Sequence, residues 1–573
     1  MNAKSAAVAA GLLVALLATG LRAVDLTADP PTSIEIHAPF SIEGQIVHNA
    51  RNRVLFGSWV TDQWDLTALA AGPTLFSTAS FTALGTSLAS ARAPSIALSF
   101  LSLLLFHAIL IRGFGARTAL LGSLLLATNY AAAMIMRLAL PATSVVFFVL
   151  LAVWCWGWAA RPRAGAALAG AASIGAAASD ATGIVAVFAG LIVSILVRLH
   201  AWKMTWLGES RARIRSYWIG AGAMLLVWIA VFVAPHWETT RATFPHMNPF
   251  VRDARHLGFA AFFAPHELGG IFRFFPVIVL VIAVYALFLS REVMRLIARH
   301  RPVPPEKLWL FSWLLAGLLL VGVLQSRPVR TLLFLIPPMT AFAAEGLLKL
   351  ARLRRIERIE IGFPVFFFWE TTVVWFGVQW AFRSWLRRPG AAVPDFFVQH
   401  ANRWEFAVVT LLSLLISFTA VLAYRRWRRA RFGIPVPRPL VLGVVIAAFA
   451  AAFTGDLIQY GRWKRDARHS VHDAQAAIAA LPEEGAVAGT WAPLLALPSR
   501  HRALMWREGM NEAPLGPMRV RWLVLEKGAL EEIGRNRLVA RFEPDLARSA
   551  PPRATFRLGV HEVELFEVAA PHP

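Results

Sequence analysis

The sequence predicts an α-helical polytopic membrane protein with a small α/β domain at its C-terminal end. Three observations carry this. Of 573 residues 57% are hydrophobic, and the mean hydropathy is +0.56. The apolar residues are gathered into repeated runs of about 20, which soluble proteins do not show. From residue 457 onward this pattern gives way to a less apolar stretch with short strand-like runs.

Apolar runs lie near 6–24, 92–111, 118–134, 143–160, 165–179, 183–198, 217–234, 271–290, 308–324, 331–348, 363–382, 406–424 and 438–456. They make about thirteen transmembrane helices, each roughly long enough to cross a hydrocarbon core. The first follows "MNAK"; its length and the lack of a clean small-x-small site favour a retained anchor over a cleaved signal. The stretch "LTALAAGPTLFSTASFTALG" (66–85) is left out, because Gly72 and Pro73 interrupt it and Thr and Ser are scattered through it. It is expected to lie at, or dip into, the outer interface.

With the N-terminus inside, alternate connections read "RGFGAR", "RPRAG", "RLHAWKMTWLGESRARIRS", "REVMRLIARHRPVPPEK", "KLARLRRIER" and "YRRWRRARFGIPVPR". All are basic, as the positive-inside rule requires, and a miscounted span would have broken the pattern. The formal net charge of +23 is therefore read as topology, and nucleic acid is not an expected partner. The lone cysteine, Cys155 in "FFVLLAVWCWGW", is a small buried hydrophobe and supports no disulfide or zinc site.

The other face carries residues 25–91, a loop 235–270, a loop 383–405 and the tail from 457. The tail starts with a helical "DARHSVHDAQAAIAALP" and continues through "AVAGTW", "RWLVLEK" and "ATFRLGVHEVELFEVA". The chain thus divides into a membrane domain, 1–456, and an extracytoplasmic α/β domain, 457–573.

A large first outer loop ahead of many spans fits an enzyme acting on a lipid-borne substrate. Such chemistry needs a carboxylate as general base and cations for a lipid-phosphate leaving group. Glu35, Glu43, Asp62 and Asp65 are the candidate carboxylates of the first loop. Arg137 in "MRLALPAT", and Arg327 and Arg330 in "QSRPVRT", sit at outer span ends. Each has a plainer reading: arginines at span ends snorkel to headgroups, and Asp62 and Asp65 in "TDQWDLT" could cap the helix that follows. Glu370, inside "VFFFWETTVVWF", is a costly intramembrane charge that faces a cavity or a partner. No GxxxxGK[ST], HExxH or DxD motif is present, and His246, His256 and His266 are spread among Phe and Pro as ordinary loop histidines.

Several segments together resemble the GT-C membrane glycosyltransferases. The resemblance is to their polyprenyl-phosphate-sugar-dependent branch, which includes protein O-mannosyltransferases and the aminoarabinose transferase of lipid A. It is clearest over 41–160, in "EGQIVHNARNRVLFGSWVTDQWD", "ARAPSIALSFLSLLLF" and "RTALLGSLLLATNYAAAMIMRLALPATSVVFFVLLA". "RPVRTLLFLIPPMTAFAAEGL" is similar to a later family segment, and "AVAGTWAPLLAL" more weakly to its tail. The family's first loop usually carries an Asp-Glu pair whose Asp is the base; here Ile42-Glu43 stands there. A second acid usual after the Arg137 turn is replaced across Pro141, Ala142 and Thr143, and a family lysine by Ser179 and Asp180. Arg330 fits the family arginine, with Thr331 in place of the usual aromatic.

The resemblance implies a GT-C-like fold and an inverting transferase in the plasma (inner) membrane. Its donor would be a polyprenyl-phosphate sugar, and its acceptor a lipid, glycan or protein on the outer side. Glu43, or else Asp62 or Asp65, would deprotonate the acceptor hydroxyl, and Arg137, Arg327 and Arg330 would neutralise the departing lipid phosphate. Arginines suffice for a monophosphate, so neither metal nor cofactor is required. The replaced acids favour an alternative, a non-catalytic relative that binds lipid-linked glycans or scaffolds an envelope assembly. A transporter or flippase is disfavoured by the lack of half-repeats or broken helices in matching positions.

Overall fold

The computed structural model describes residues 3–31, 41–158, 160–201, 208–247, 304–321, 329–351, 438–527, 551–559 and 561–568, with a few isolated positions elsewhere. The expected spans at 271–290 and 363–382, and nearly all of that at 406–424, lie outside them.

The chain begins with α1 (Ala3–Ala23). The first loop folds into α2 (Ser41–Phe56) and α3 (Ala71–Leu84). Then come α4 (Leu88–Phe114), α5 (Ala116–Thr128), α6 (Tyr130–Ile135), α7 (Pro141–Trp156), α8 (Pro162–Ala177) and α9 (Ile184–Ala201). Next are α10 (Gly208–Trp228), continued by a π turn over Ile229–Val233, and α11 (Trp237–Met247). Later helices are α12 (Pro305–Val321), α13 (Ile336–Leu350) and α14 (Arg438–Arg465). Among the described residues six helical stretches are long and apolar enough to cross a membrane, and α5 and α7 are shorter apolar helices.

Local chemistry sets the boundaries. Ser87 and Ser90 form a reciprocal capping box at the head of α4, and Pro141 and Pro162 open α7 and α8 where no N–H is needed. The small residues of α8 let α10 approach closely: a Cβ on Gly170 would stand 2.0 Å from the Tyr217 carbonyl oxygen.

The run 118–134, expected as one span, is broken at Asn129. Its side chain accepts from Ala132 N–H at 2.9 Å and starts α6. Arg22 of α1 donates to Ala127 O at 3.1 Å, at the end of α5. Asp456 of α14 stands 3.5 Å from the Asn129 amide nitrogen and accepts from Tyr130 N–H. A cation at one helix end and an anion at the other match the two dipoles.

The helix ends separate by chemistry. Arg112, closing α4, pairs with Glu306 of α12 at 3.2 Å and lies 3.7 Å from the Trp154 ring centroid, near the end of α7. Arg213 of α10 joins this end through Trp156. At the opposite end lie Asp25, Glu43, Arg92, the turn 136–140 and the turn 178–183. The basic connections "RGFGAR" and "RPRAG" belong to the Glu306 end.

The tail holds α15 (Ser470–Ala479) and α16 (Ala492–Leu495). Its strands are β1 (Ala486–Ala488), β2 (Ala503–Leu504), β3 (Val520–Lys527), β4 (Ala554–Leu558) and β5 (His561–Glu567). The sheet order is β2-β1-β3-β5-β4, parallel across the first three and antiparallel thereafter. Trp522 and Val524 of β3 pack on one face with Val471, Ile478 and Trp491, and Leu523 and Leu525 on the other with Leu504 and Leu515. Burial on both faces explains the uninterrupted "WLVL". The run "ATFRLGVHEVELFEVA" is a hairpin of two strands, turning at Gly559 with φ 62°.

By compactness the chain forms two units, one of 1–252, 304–341 and 453–573, the other of 253–303 and 342–452. The tail belongs to the first unit, with the first loop. In the second, residues 355–356 pair antiparallel with 434–435.

Candidate active site

Glu43, in the first turn of α2, is 3% exposed and grips Arg92 of α4 with both oxygens. Arg92 Nη2 donates to Oε1 at 2.6 Å and Nε to Oε2 at 2.8 Å, while Ala139 N–H donates to Oε2 at 2.9 Å. The remaining Arg92 nitrogen ties down the carbonyls of Leu26 and Ala28, at 2.6 and 2.8 Å. Glu43 thus fixes α4, the 26–28 segment and the turn after Arg137 to one another.

Arg137 lies beside this pair, close enough to feel the charges of Glu43, Arg92 and Asp25. It is 1% exposed and donates from Nη2 to the Asp25 carbonyl. Its guanidinium lies 4.4 Å from the Trp463 ring centroid, and Trp463 Nε1 donates to Asp29 O at 3.0 Å. Asp29 accepts from Ser470 and Val471 N–H at 3.0 and 3.2 Å and so anchors the start of α15. Arg137 Nε and Nη1 are buried and have no protein partner. Burial pushes its pKa down to about 10, so it stays a cation at neutral pH. Lys464 pairs with the Asp25 carboxylate and holds it below the usual carboxylate range.

Asp62 and Asp65 do not cap α3, whose N-cap Ala70 makes no side-chain bond. Asp62 Oδ1 is 3.1 Å from His48 Nε2, and Oδ2 accepts from Met505 N–H at 2.8 Å and from Asn511 at 3.3 Å. Asp65 Oδ1 accepts from Thr67 N–H at 2.8 Å; Oδ2 accepts from the Thr239 hydroxyl at 2.5 Å and lies 3.0 Å from His236 Nδ1. One acid clasps the tail and the other clasps α11.

Asp180 accepts from Thr182 N–H and hydroxyl at 2.7 and 2.5 Å. Burial raises its pKa, against the pull of Thr182 and the Arg330 charge. The charge of Arg330 therefore acts on Asp180. Arg327, Glu35, Glu370, His256 and His266 lie outside the described residues. The structure brings Glu43 and Arg137 together; Asp62 and Asp65 belong to two other networks. Sequence reading missed Arg92, Trp463 and Lys464. Arg92 had a signal, a charge at the head of an apolar run, where it is costly unless paired. Trp463 and Lys464 are far along the chain and had none.

A small cleft opens between α2, α3, α4 and α7, lined among others by Ile46, Phe76, Ser95, Leu98, Leu140 and Ser144.

No protein-family model matches the chain, and no curated protein does. Among solved structures it is similar to ArnT from Cupriavidus metallidurans, both bound to undecaprenyl phosphate and in the apo state. Each match has a TM-score of 0.57 at 15% identity and covers 96% of this chain and 97% of that one. An oligosaccharyltransferase from Archaeoglobus fulgidus in the apo form matches with a TM-score of 0.47 at 10% identity, over 91% of this chain and 69% of that one. The chain therefore has the GT-C fold that its sequence resembles, and it is a multi-pass membrane protein.

Proposed function

We propose that this GT-C chain is a glycosyltransferase that moves a sugar from a polyprenyl-phosphate donor to an acceptor on the outer side of the plasma membrane. The observation that carries the reading is Arg137: a fully buried cation, fixed by Asp25 and Trp463, with Nε and Nη1 unpartnered. Such a group suits a lipid phosphate, whose charge grows as the glycosidic bond breaks. The structural neighbour with undecaprenyl phosphate bound supports that ligand class. Arg330 and Arg327 are proposed as further cations for the same phosphate.

Of the candidate bases Glu43, Asp62 and Asp65, Glu43 is the one whose charge acts on Arg137, and in this reading it is the base. Its Oε1 accepts only from Arg92, which leaves a lone pair for an acceptor hydroxyl. The proton passes to Oε1 and the hydroxyl oxygen attacks the anomeric carbon. The bond to phosphate breaks with its electron pair on the phosphate oxygen, and Arg137 stabilises that charge. Asp62 and Asp65 are alternative bases, each of which would first have to leave its clasp. The proposed arrangement places the N-terminus in the cytoplasm and the domain 457–573 outside.

A second reading, a non-catalytic binder of lipid-linked glycans, is favoured by one observation: Glu43 and Asp65 are buried, the Asp62 side chain is 1% exposed, and all three are hydrogen-bonded to protein. Donor turnover decides. Purified protein in nanodiscs is given labelled polyprenyl-phosphate sugars and total membrane acceptors, and release of free lipid phosphate is followed. Wild type is expected to turn over, with turnover abolished in Glu43→Gln and reduced about 10²–10³-fold in Arg137→Gln. Donor binding without turnover by wild type would establish the second reading instead.

A further inference from the structure

A second buried cation lies on α2, at the seam with the tail. Arg51 is 0% exposed, and its hydrogen bonds go to neutral carbonyls: Nε to Leu497 at 3.1 Å, and Nη2 to Ser499 and His501 at 2.8 and 2.6 Å. Its guanidinium carbon is 5.7 Å from the Phe56 ring centroid. Burial pushes its pKa down to about 9, and no acid acts to raise it. Nη1 is buried without a partner.

The same seam collects other unpartnered, buried polar atoms: His48 Nδ1, Asn52 Oδ1, Thr61 Oγ1 and both ring nitrogens of His501. Hydrogen bonds and chain adjacency tie these residues together. His48 and Asn52 are within a turn of Arg51 on α2, with His48 Nε2 3.0 Å from Asn52 Nδ2. Thr61 adjoins Asp62, which meets His48, and the His501 carbonyl is bonded to Arg51. Asp62 is already committed to His48, Met505 and Asn511 and is not the counter-ion.

A buried guanidinium without an anion is costly, and so is each unpaired polar atom. A small oxyanion answers the first cost, and the second for those groups that can donate. Arg51 Nη1 and the Thr61 hydroxyl donate to it, and the His501 imidazole, both of whose ring nitrogens are unpartnered, carries a proton that one of them can present. We infer that the seam between α2 and residues 497–511 is a binding site for a small oxyanion, inorganic phosphate or a carboxylate, seated on Arg51. It is separate from the Arg137 site and does not rest on the transferase reading. Bound there, the anion fastens the tail to the first loop.

The test is thermal unfolding of the purified full chain in phosphate, in acetate and in chloride of equal ionic strength. A saturable rise in Tm with phosphate or acetate is expected in wild type and in Arg137→Gln, and the more effective anion identifies the class. The rise should vanish in Arg51→Gln. Should that variant fail to fold, the pair Thr61→Val and His501→Phe takes its place, each expected to weaken the anion's half-saturation at least tenfold. A rise that follows ionic strength alone, no rise with either anion, or a rise lost in Arg137→Gln but kept in the seam variants would overturn the inference.

Discussion

Glu43 and Arg92 form a buried pair in which removing one charge strands the other. Glu43→Gln is expected to cost about 3–5 kcal/mol of stability, as breaking buried pairs does. Thermal unfolding of the variant beside wild type checks it, independently of turnover. Asp25 gives a pH dependence. Lys464 lowers its folded pKa below the ordinary 3.8, so the stability it adds is complete above that value and is lost as pH falls through the folded one. Acid titration of Tm should therefore fall more steeply below about pH 4 in wild type than in Asp25→Asn. Of these residues, Glu43 and Arg137 were legible as charges on an outer loop and an outer turn. Arg92 is legible only as a charge at the head of an apolar run, and Trp463 and Lys464 not at all, because what gives each its role is a partner distant in sequence.

Gly44 shows how α2 and the tail are fitted. A Cβ there would stand 2.3 Å from the backbone nitrogen of Leu494, and backbone cannot step aside as a side chain can. Gly44→Ala is expected to destabilise the contact by about 1–3 kcal/mol, seen as faster proteolysis of the tail with the membrane helices still intact. The strands of the tail were readable from short β-branched and aromatic runs, though the hairpin inside "ATFRLGVHEVELFEVA" hid behind its continuous alternation. The break at Asn129 was not readable. The run around it stays apolar, and the Arg22 and Asp456 side chains that satisfy the exposed helix ends come from α1 and α14.

The membrane class followed from composition, and the fold from an order of segments that no single motif would have identified. Charge bias gave the alternation of connections, and the structure gathers "RGFGAR", "RPRAG" and Glu306 at one end of the helices. The tail's place in the same compact unit as the first loop had no sequence signal, since it depends on Asp62, Arg51 and Gly44 meeting residues more than four hundred positions away. The proposed topology predicts cysteine labelling in a Cys155→Ser background. Glu483→Cys, exposed in the tail, should react with an impermeant reagent in intact cells, and Arg163→Cys, exposed at the other end, only after lysis. Labelling of both or the reverse order would refute the orientation.

The divided span has a consequence for how the chain is made. With 13 residues α5 is only about 20 Å long, and α6 has six residues, so neither half crosses a bilayer core of about 30 Å unaided. Arg22 is synthesised before the gap, but Asp456 emerges some three hundred residues after it. During that interval the Tyr130 N–H lacks its acceptor in a medium that offers few others. The turn bearing Arg137 therefore reaches its final form late in biogenesis, and chains interrupted before Asp456 should be recognised by membrane proteases as unfinished. Pulse-chase turnover of a chain truncated at residue 450 against the full-length Asp456→Ala variant would show both degraded faster than wild type.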